Sequence, residues 1–307
     1  MSKTRLFFLA VILLAGIGLV TLLVVNKARP PLDSSLAPAF QLLGKPVKSL
    51  DRALTRVMPI DGLDEKAFGD AIALRYAYLD GVNPREREYL NEMIGSLAEF
   101  AHKPFKYRVF VLDYPYPNAF ALPGGVILVT VGLLDVMENE GQVAAILAHE
   151  MGHIERSHCL DAVRFQLLSR KIGSRQLGEI ADLAVNIFLK HSFSKTQEDE
   201  ADEYAYELIL NTRYDPCCVA GSFNSFLKYE GAGGSRENKA HIIRDYFMTH
   251  PPMRLRAAKF AEKARAWWAE HPGERRYLGF TNLKTRTCFL RNNREPSEWR
   301  TGGKEGS

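Results

Sequence analysis

Hydrophobic side chains recur at three- and four-residue spacing through Val143, Ile146, Leu147 and Ile154, the period of a helix with one face in a core. The same pattern predicts helices over 64–79 and 84–102, the second with Asn83 as N-cap and Pro84 at its first position. Residues 107–112 and 125–131 are rich in β-branched and aromatic side chains and bounded by Pro, Asp and Gly, which predicts two strands ahead of the 143–154 helix. Between them, 115–125 carries three prolines and two glycines, so its backbone cannot all be paired inside a sheet, and composition makes it a loop. Helical patterns continue over 160–195, 197–209 and 254–268, and the 143–154 helix is expected to run on through His158. The polar tail 291–307, with Gly302 and Gly303, is expected to be disordered. The fold class is α+β, mostly helical with a small β-sheet.

Residues 6–25 form a run of 20 positions without a charge, long enough to cross a bilayer core as one transmembrane helix. The competing reading is a cleaved secretory signal. Ala37-Pro38-Ala39 has the letters of a cleavage site, but Lys27, Arg29 and two prolines separate it from the apolar run. The organisation expected is therefore a cytoplasmic N-terminus at 1–5, an anchor at 6–25, a Pro- and Ser-rich linker at 26–39, a domain at 40–290 and the tail. Lys3, Arg5 and the terminal amine, set against Lys27 and Arg29, favour a single-pass protein of a bacterial inner membrane with its domain in the periplasm. A secreted periplasmic form after signal cleavage is the alternative.

The 46% hydrophobic content of the 307 residues suffices for a sizeable core. Lys3, Arg5, Lys27 and Arg29 account for the whole formal charge of +4, so no basic domain is left to bind nucleic acid. The four cysteines, Cys159, Cys217, Cys218 and Cys288, lack the Cys-x-x-Cys spacing of a zinc knuckle, while one or two disulfides would be allowed in an oxidising compartment.

The chemistry lies in His149-Glu150-Met151-Gly152-His153. Two histidines four apart project from one side of a helix, one turn apart, so both imidazoles can reach one metal ion. Glu150 falls about 100° round the helix, beside the ion, where a carboxylate can take a proton from water. A catalytic zinc takes a third protein ligand. A metzincin would supply a histidine six residues past His153, but Cys159 stands there and Arg156 replaces the required glycine. A glutamate from a separate helix is the other common solution, and the acidic stretch 197–204 enters an apolar helical pattern as Glu198-Asp199-Glu200-Ala201-Asp202. Asp202, one turn after Glu198, would suit an acceptor that orients a ligand histidine. His158 lies about 140° from His153 on a helical wheel, which excludes it as a ligand on the same face and leaves a structural or surface role.

Taken in order, Asn118-Ala119-Phe120-Ala121-Leu122-Pro123-Gly124-Gly125, Gly132-Leu133-Leu134, the His149–His153 motif, Glu198 to Asp202, and His250-Pro251 with Arg256 resemble the HtpX and BepA group of metallopeptidases, a family that includes the CAAX prenyl proteases. The resemblance implies a zincin-like metallopeptidase domain with one zinc ion per chain held by His149, His153 and Glu198, and Glu150 as base. It implies that Asn118, Ala119, Phe120, Gly124 and Gly125 border the substrate, which would add as a strand. It also puts His250 and Arg256 near the metal, where either could donate to a developing oxyanion. His250 could instead close the zinc as a fourth ligand and hold the enzyme off. Residues 160–195 are read as packing, with a lid over the cleft as the alternative.

The expected function is that of a zinc-dependent endopeptidase acting on unfolded or misassembled membrane or envelope polypeptides in quality control. A chaperone-like envelope factor with little proteolysis and a zinc-stabilised interaction module are its rivals.

Overall fold

Residues 62–161, 193–232, 250, 253–291 and 295–302 are described by the computed structural model of the chain, and all fall in one unit, Ile60–Ser307. The expected anchor at 6–25, the linker at 26–39, most of the 160–195 stretch and the end of the tail lie outside the described residues. Among the described residues no helix is long and apolar enough to cross a membrane.

Helix α1 (Gly62–Tyr76) passes through a short 3₁₀ turn, Ala77–Gly81, into α2 (Pro84–Ala98). Pro84 opens α2 as expected, but Asn83 sits at φ 46° and its side chain does not cap. Tyr89, Leu90, Met93, Ile94 and Leu97 bury one face of α2, and Asn91 grips the backbone of Val109 in the first strand.

The sheet has the order β1 (Arg108–Leu112), β3 (Val126–Thr130), β2 (Ala119–Leu122), with β1 parallel and β2 antiparallel to β3. The composition-based loop at 115–125 thus contains a strand. Its prolines lie outside the paired residues, and its place at the sheet edge removes the need for ladder bonds on both sides. Gly124 and Gly125, at φ 75° and 92°, turn the chain from β2 to β3. A Cβ on Gly124 would lie 2.6 Å from the carbonyl oxygen of Glu65 and from the Cα of Gly69, so this turn is also where α1 packs on the hairpin. Side chains at these two positions would disturb folding before they touched a substrate.

After the short α3 (Val131–Val136) comes α4 (Glu140–Glu155), which is buried from Glu140 to Ile154. Such a helix must find partners for its polar side chains and its terminal backbone groups. At its N-terminus the Asn139 side chain accepts from the Gln142 N–H, and the carbonyls of Gly279 and Leu278 take the N–H groups of Glu140 and Gly141. At the other end the Lys103 ammonium donates to the Ile154 carbonyl and the Ser157 hydroxyl. The helix does not run on through His158. Ser157, at φ 60°, reverses the chain, and a new helical turn starts at His158.

Helix α5 (Lys195–Asn211) packs along α4, and α6 (Cys217–Gly231) lies between α4 and α7 (Met253–Glu270). Ser194 and Gln197 form a capping box at the start of α5. The backbones of α4 and α5 touch at Gly152, where a Cβ would lie 2.9 Å from the Cα of Ala201. The described residues end with β4 (Arg275–Tyr277), the short α8 (Phe280–Thr285) and β5 (Trp299–Thr301), which pairs antiparallel with β4. Within the tail expected to be disordered, the described residues 295–302 include a strand, with Trp299 packed on Tyr277 and Phe289, while 292–294 and 303–307 lie outside the described residues. All four cysteines are free thiols.

Glu140, the first residue of α4, is fully buried and accepts from the Tyr214 hydroxyl at 2.6 Å and the Phe289 N–H at 2.9 Å. Burial pushes its pKa up to about 7, from an ordinary 4.5. Below the lower value both states are protonated, and between the two the unfolded chain releases a proton that the folded chain keeps. Folding therefore loses stability as pH rises through that window, by about 1.4 kcal/mol per unit. Glu140→Gln keeps the acceptor oxygen and cannot ionise. Urea denaturation should show it about 2–3 kcal/mol more stable, relative to wild type, at pH 8 than at pH 4.5; an equal difference at both pH values would contradict this origin of the shift.

Candidate metal centre

Helix α4 presents His149 and His153 to α5, and the close approach at Gly152 brings Glu198 against them. The His149 and His153 Nε2 atoms are 3.1 Å apart. Glu198 places Oε2 3.6 Å from the first and Oε1 3.6 Å from the second. His250 adds its Nδ1 at 3.3 Å from His149 Nε2 and 2.9 Å from Glu198 Oε1. All four residues are buried, and one potential ligand atom from each lies within 4.8 Å of the others.

These separations suit a zinc ion. Bonds of about 2.0–2.1 Å in a tetrahedron put neighbouring ligand atoms about 3.3–3.4 Å apart. The proton count points the same way. His149 Nδ1 lies 2.9 Å from Asp202 Oδ1, a carboxylate that can only accept, so this nitrogen carries the proton and Nε2 is bare. Its bare lone pair faces other ring nitrogens in a buried space, where a shared cation is the fitting partner. Glu198 Oε2 and both oxygens of Glu150 are buried without a hydrogen-bond partner.

Burial raises the Glu150 carboxyl pKa, against the opposing pull of His250 and His149. The Ala121 N–H approaches this carboxylate and lowers its pKa weakly, short of hydrogen-bond geometry. Burial holds the His153 imidazole far below its ordinary value, helped by repulsion from His149 and His250. Burial would also raise Asp202, but Arg256 and His149 outweigh it and hold this acid at about 2.

Arg256 lies behind the ligands. Its Nε and Nη2 donate to Asp202 at 2.8 and 2.7 Å, and its Nη1 donates to the His250 carbonyl at 2.7 Å. Nη1 also lies 2.9 Å from Glu198 Oε2, an ion pair without hydrogen-bond alignment. A guanidinium held this way supports the ligand residues, and the oxyanion role expected of it gains no support from the geometry. His250 turns its Nε2 to within 3.8 Å of Glu150 Oε1.

Of the residues expected to border a substrate, Ala119 and Phe120 lie in the edge strand β2. The Thr130 N–H donates to the Asn118 carbonyl, and antiparallel alternation from that pair turns the backbone groups of Ala119 and Ala121 away from β3. Asn118 is fully buried and uses its side-chain oxygen on the Ala119 N–H. Gly124 and Gly125 belong to the turn beyond.

Sequence reasoning missed two neighbours of His153. Phe193 stacks on its ring with centroids 3.8 Å apart, and His158 brings its Nδ1 to 3.0 Å from His153 Nδ1. Helical-wheel geometry could not find His158, because the reversal at Ser157 carries it back over the helix end.

The family model of Peptidase family M48 matches residues 84–264 of the chain. Mitochondrial metalloendopeptidase OMA1 of Arabidopsis thaliana is 28% identical over 160 residues, covering 51% of this chain and 31% of its own length. Metalloprotease LoiP of Escherichia coli (strain K12) is 33% identical over 142 residues, 42% of this chain and 54% of its own. Beta-barrel assembly-enhancing protease of the same organism is 27% identical over 153 residues, 44% and 31%. The chain thus spans between about a third and just over half of the length of these relatives. The matched residues hold every residue of the cluster and the carboxylate beside it, and the chain belongs to Peptidase family M48.

Proposed function

We propose that this protein is a zinc-dependent endopeptidase that hydrolyses peptide bonds of membrane or envelope proteins, in quality control of unfolded or misassembled chains. The observation that carries the reading is the convergence of His149, His153 and Glu198 beside a buried Glu150 whose carboxylate has no hydrogen-bond partner. Envelope substrates are supported by the likeness to a protease named for β-barrel assembly, and by the uncharged run at 6–25 as an anchor that would hold the domain at a bacterial inner membrane, on its periplasmic side.

Zinc held by His149 Nε2, His153 Nε2 and Glu198 would supply a Lewis acid that polarises a carbonyl and lowers the pKa of a coordinated water to about 7. Glu150 takes the proton as water attacks the peptide carbonyl and passes it to the leaving amine. Its burial favours the protonated form, which strengthens it as the base that takes this proton. Asp202, pinned by Arg256, accepts from His149 and orients its ring toward the metal. The edge strand β2 lies next to Glu150 and is where an extended peptide would pair, although Asn118 Oδ1 already holds the Ala119 N–H and the Cys159 thiol donates to the Ala121 carbonyl.

The placement of His250 Nδ1 within the ligand cluster favours the fourth-ligand role over that of donor. A closed four-ligand set also favours a second reading, a zinc-stabilised module without catalysis. Chelation separates the two, since removing zinc from a structural site unfolds the domain while removing it from a catalytic site abolishes turnover first.

Glu150→Gln should retain one zinc per chain and lose casein hydrolysis by about 10²- to 10⁴-fold; cleavage at the wild-type rate would remove the assignment. His250→Ala should raise turnover, as the fourth position opens, while weakening zinc binding. Loss of turnover in a zinc-loaded His250→Ala protein would make His250 a donor to the reacting carbonyl instead.

A further inference from the structure

His153 has a second nitrogen to account for, and a chain of contacts leads from it to the surface. Its Nε2 faces His149 and Glu198, and its Nδ1 lies 3.0 Å from Nδ1 of His158. The other nitrogen of His158, Nε2, lies 2.9 Å from Glu200 Oε2. His158 is buried, whereas half of the Glu200 side chain is exposed.

The donors and acceptors along this chain admit one assignment for neutral rings. An ionised carboxylate only accepts, so Glu200 requires the proton of His158 on Nε2. The Nδ1 of His158 is then bare and acts as an acceptor. Across 3.0 Å it demands a donor, so His153 carries its proton on Nδ1. That leaves the His153 Nε2 lone pair free, directed at the metal cluster. Outer partners of this kind fix the tautomer and orientation of a ligand imidazole.

We infer that His158, itself oriented by Glu200, is a positioning residue that holds His153 in its metal-binding tautomer and ring orientation. The inference rests on the zinc reading above. It supplies for His153 what Asp202 supplies for His149, with a neutral imidazole in place of a carboxylate.

The fold builds this contact deliberately. Ser157 at φ 60° ends α4 and starts a new turn on which His158 comes back over His153. Lys103 secures the reversal through the Ile154 carbonyl and the Ser157 hydroxyl, and Glu65 pairs with the same ammonium at 2.9 Å. Glu155 adds a second clamp, accepting from the Tyr107 hydroxyl at 2.5 Å and from the N–H of His102 at 3.1 Å. Phe193 covers the face of His153, so ring orientation is set by stacking on one side and by the His158 hydrogen bond at the edge.

The test compares zinc affinity, by chelator competition on the full chain, for wild type, His158→Phe and His158→Asn. Phenylalanine keeps the ring shape and removes the acceptor, whereas the Asn side-chain oxygen can stand where Nδ1 was. His158→Phe should weaken zinc binding by about 10- to 100-fold, and His158→Asn should recover most of that loss. Wild-type affinity in His158→Phe, or equal losses in both variants, would overturn the inference and leave His158 as packing. The variants need not carry the test alone. Long-range ¹H–¹⁵N correlation on the zinc-loaded wild-type chain should show His158 protonated at Nε2 and His153 at Nδ1, and a proton on His158 Nδ1 would refute the proposal even if both variants failed to fold. A wild-type chain that takes up no zinc would instead sink the metal reading itself, an outcome distinct from tight binding that ignores residue 158.

Discussion

Two helix backbones meet at one glycine, and the metal centre depends on that contact. Gly152 stands inside the His149–His153 motif, and its missing side chain lets the α5 backbone approach at Ala201. Ala201 is flanked along α5 by Glu198 three residues before it and by Asp202 immediately after it. The same approach therefore delivers one carboxylate to both Nε2 atoms and a second carboxylate to His149 Nδ1. A larger residue at 152 would push both acids away together.

Burying this many ionisable groups is costly unless each finds a partner, and the surroundings of α4 are arranged to meet that cost. Arg256 of α7 neutralises Asp202 from behind and lies against Glu198, so the acids stay charged where the histidines need acceptors. The two ends of α4 are anchored by different parts of the chain. Carbonyls of 278–279 hold the N-terminus and Lys103 the C-terminus. A catalytic geometry needs its supporting residues locked in this manner, because small displacements of a ligand cost affinity and rate.

What the sequence made legible follows from local periodicity. His149 and His153, and likewise Glu198 and Asp202, are four apart on helices, so their shared faces could be read without the tertiary structure. The α2 and β1 patterns survived for the same reason, since their buried faces dominate their composition. Features set by nonlocal contacts were hidden. Prolines at 115, 117 and 123 masked the edge strand β2, and polar residues masked β5, whose order comes from Trp299 packing on aromatic rings far back in the chain. His158 was read as lying off the ligand face because an uninterrupted helix was assumed, whereas one residue at positive φ redirects it. Arg256 was found by resemblance, but its role behind Asp202 could come only from coordinates.

Anomalous diffraction at the zinc absorption edge, on crystals of the full chain, locates the ion against these side chains. A single strong peak is expected about 2.0–2.2 Å from His149 Nε2, His153 Nε2 and a Glu198 oxygen. A peak ligated by cysteine sulfur, or a structure in which Glu198 turns away from the two imidazoles with no other acid or histidine replacing it, would contradict this expectation.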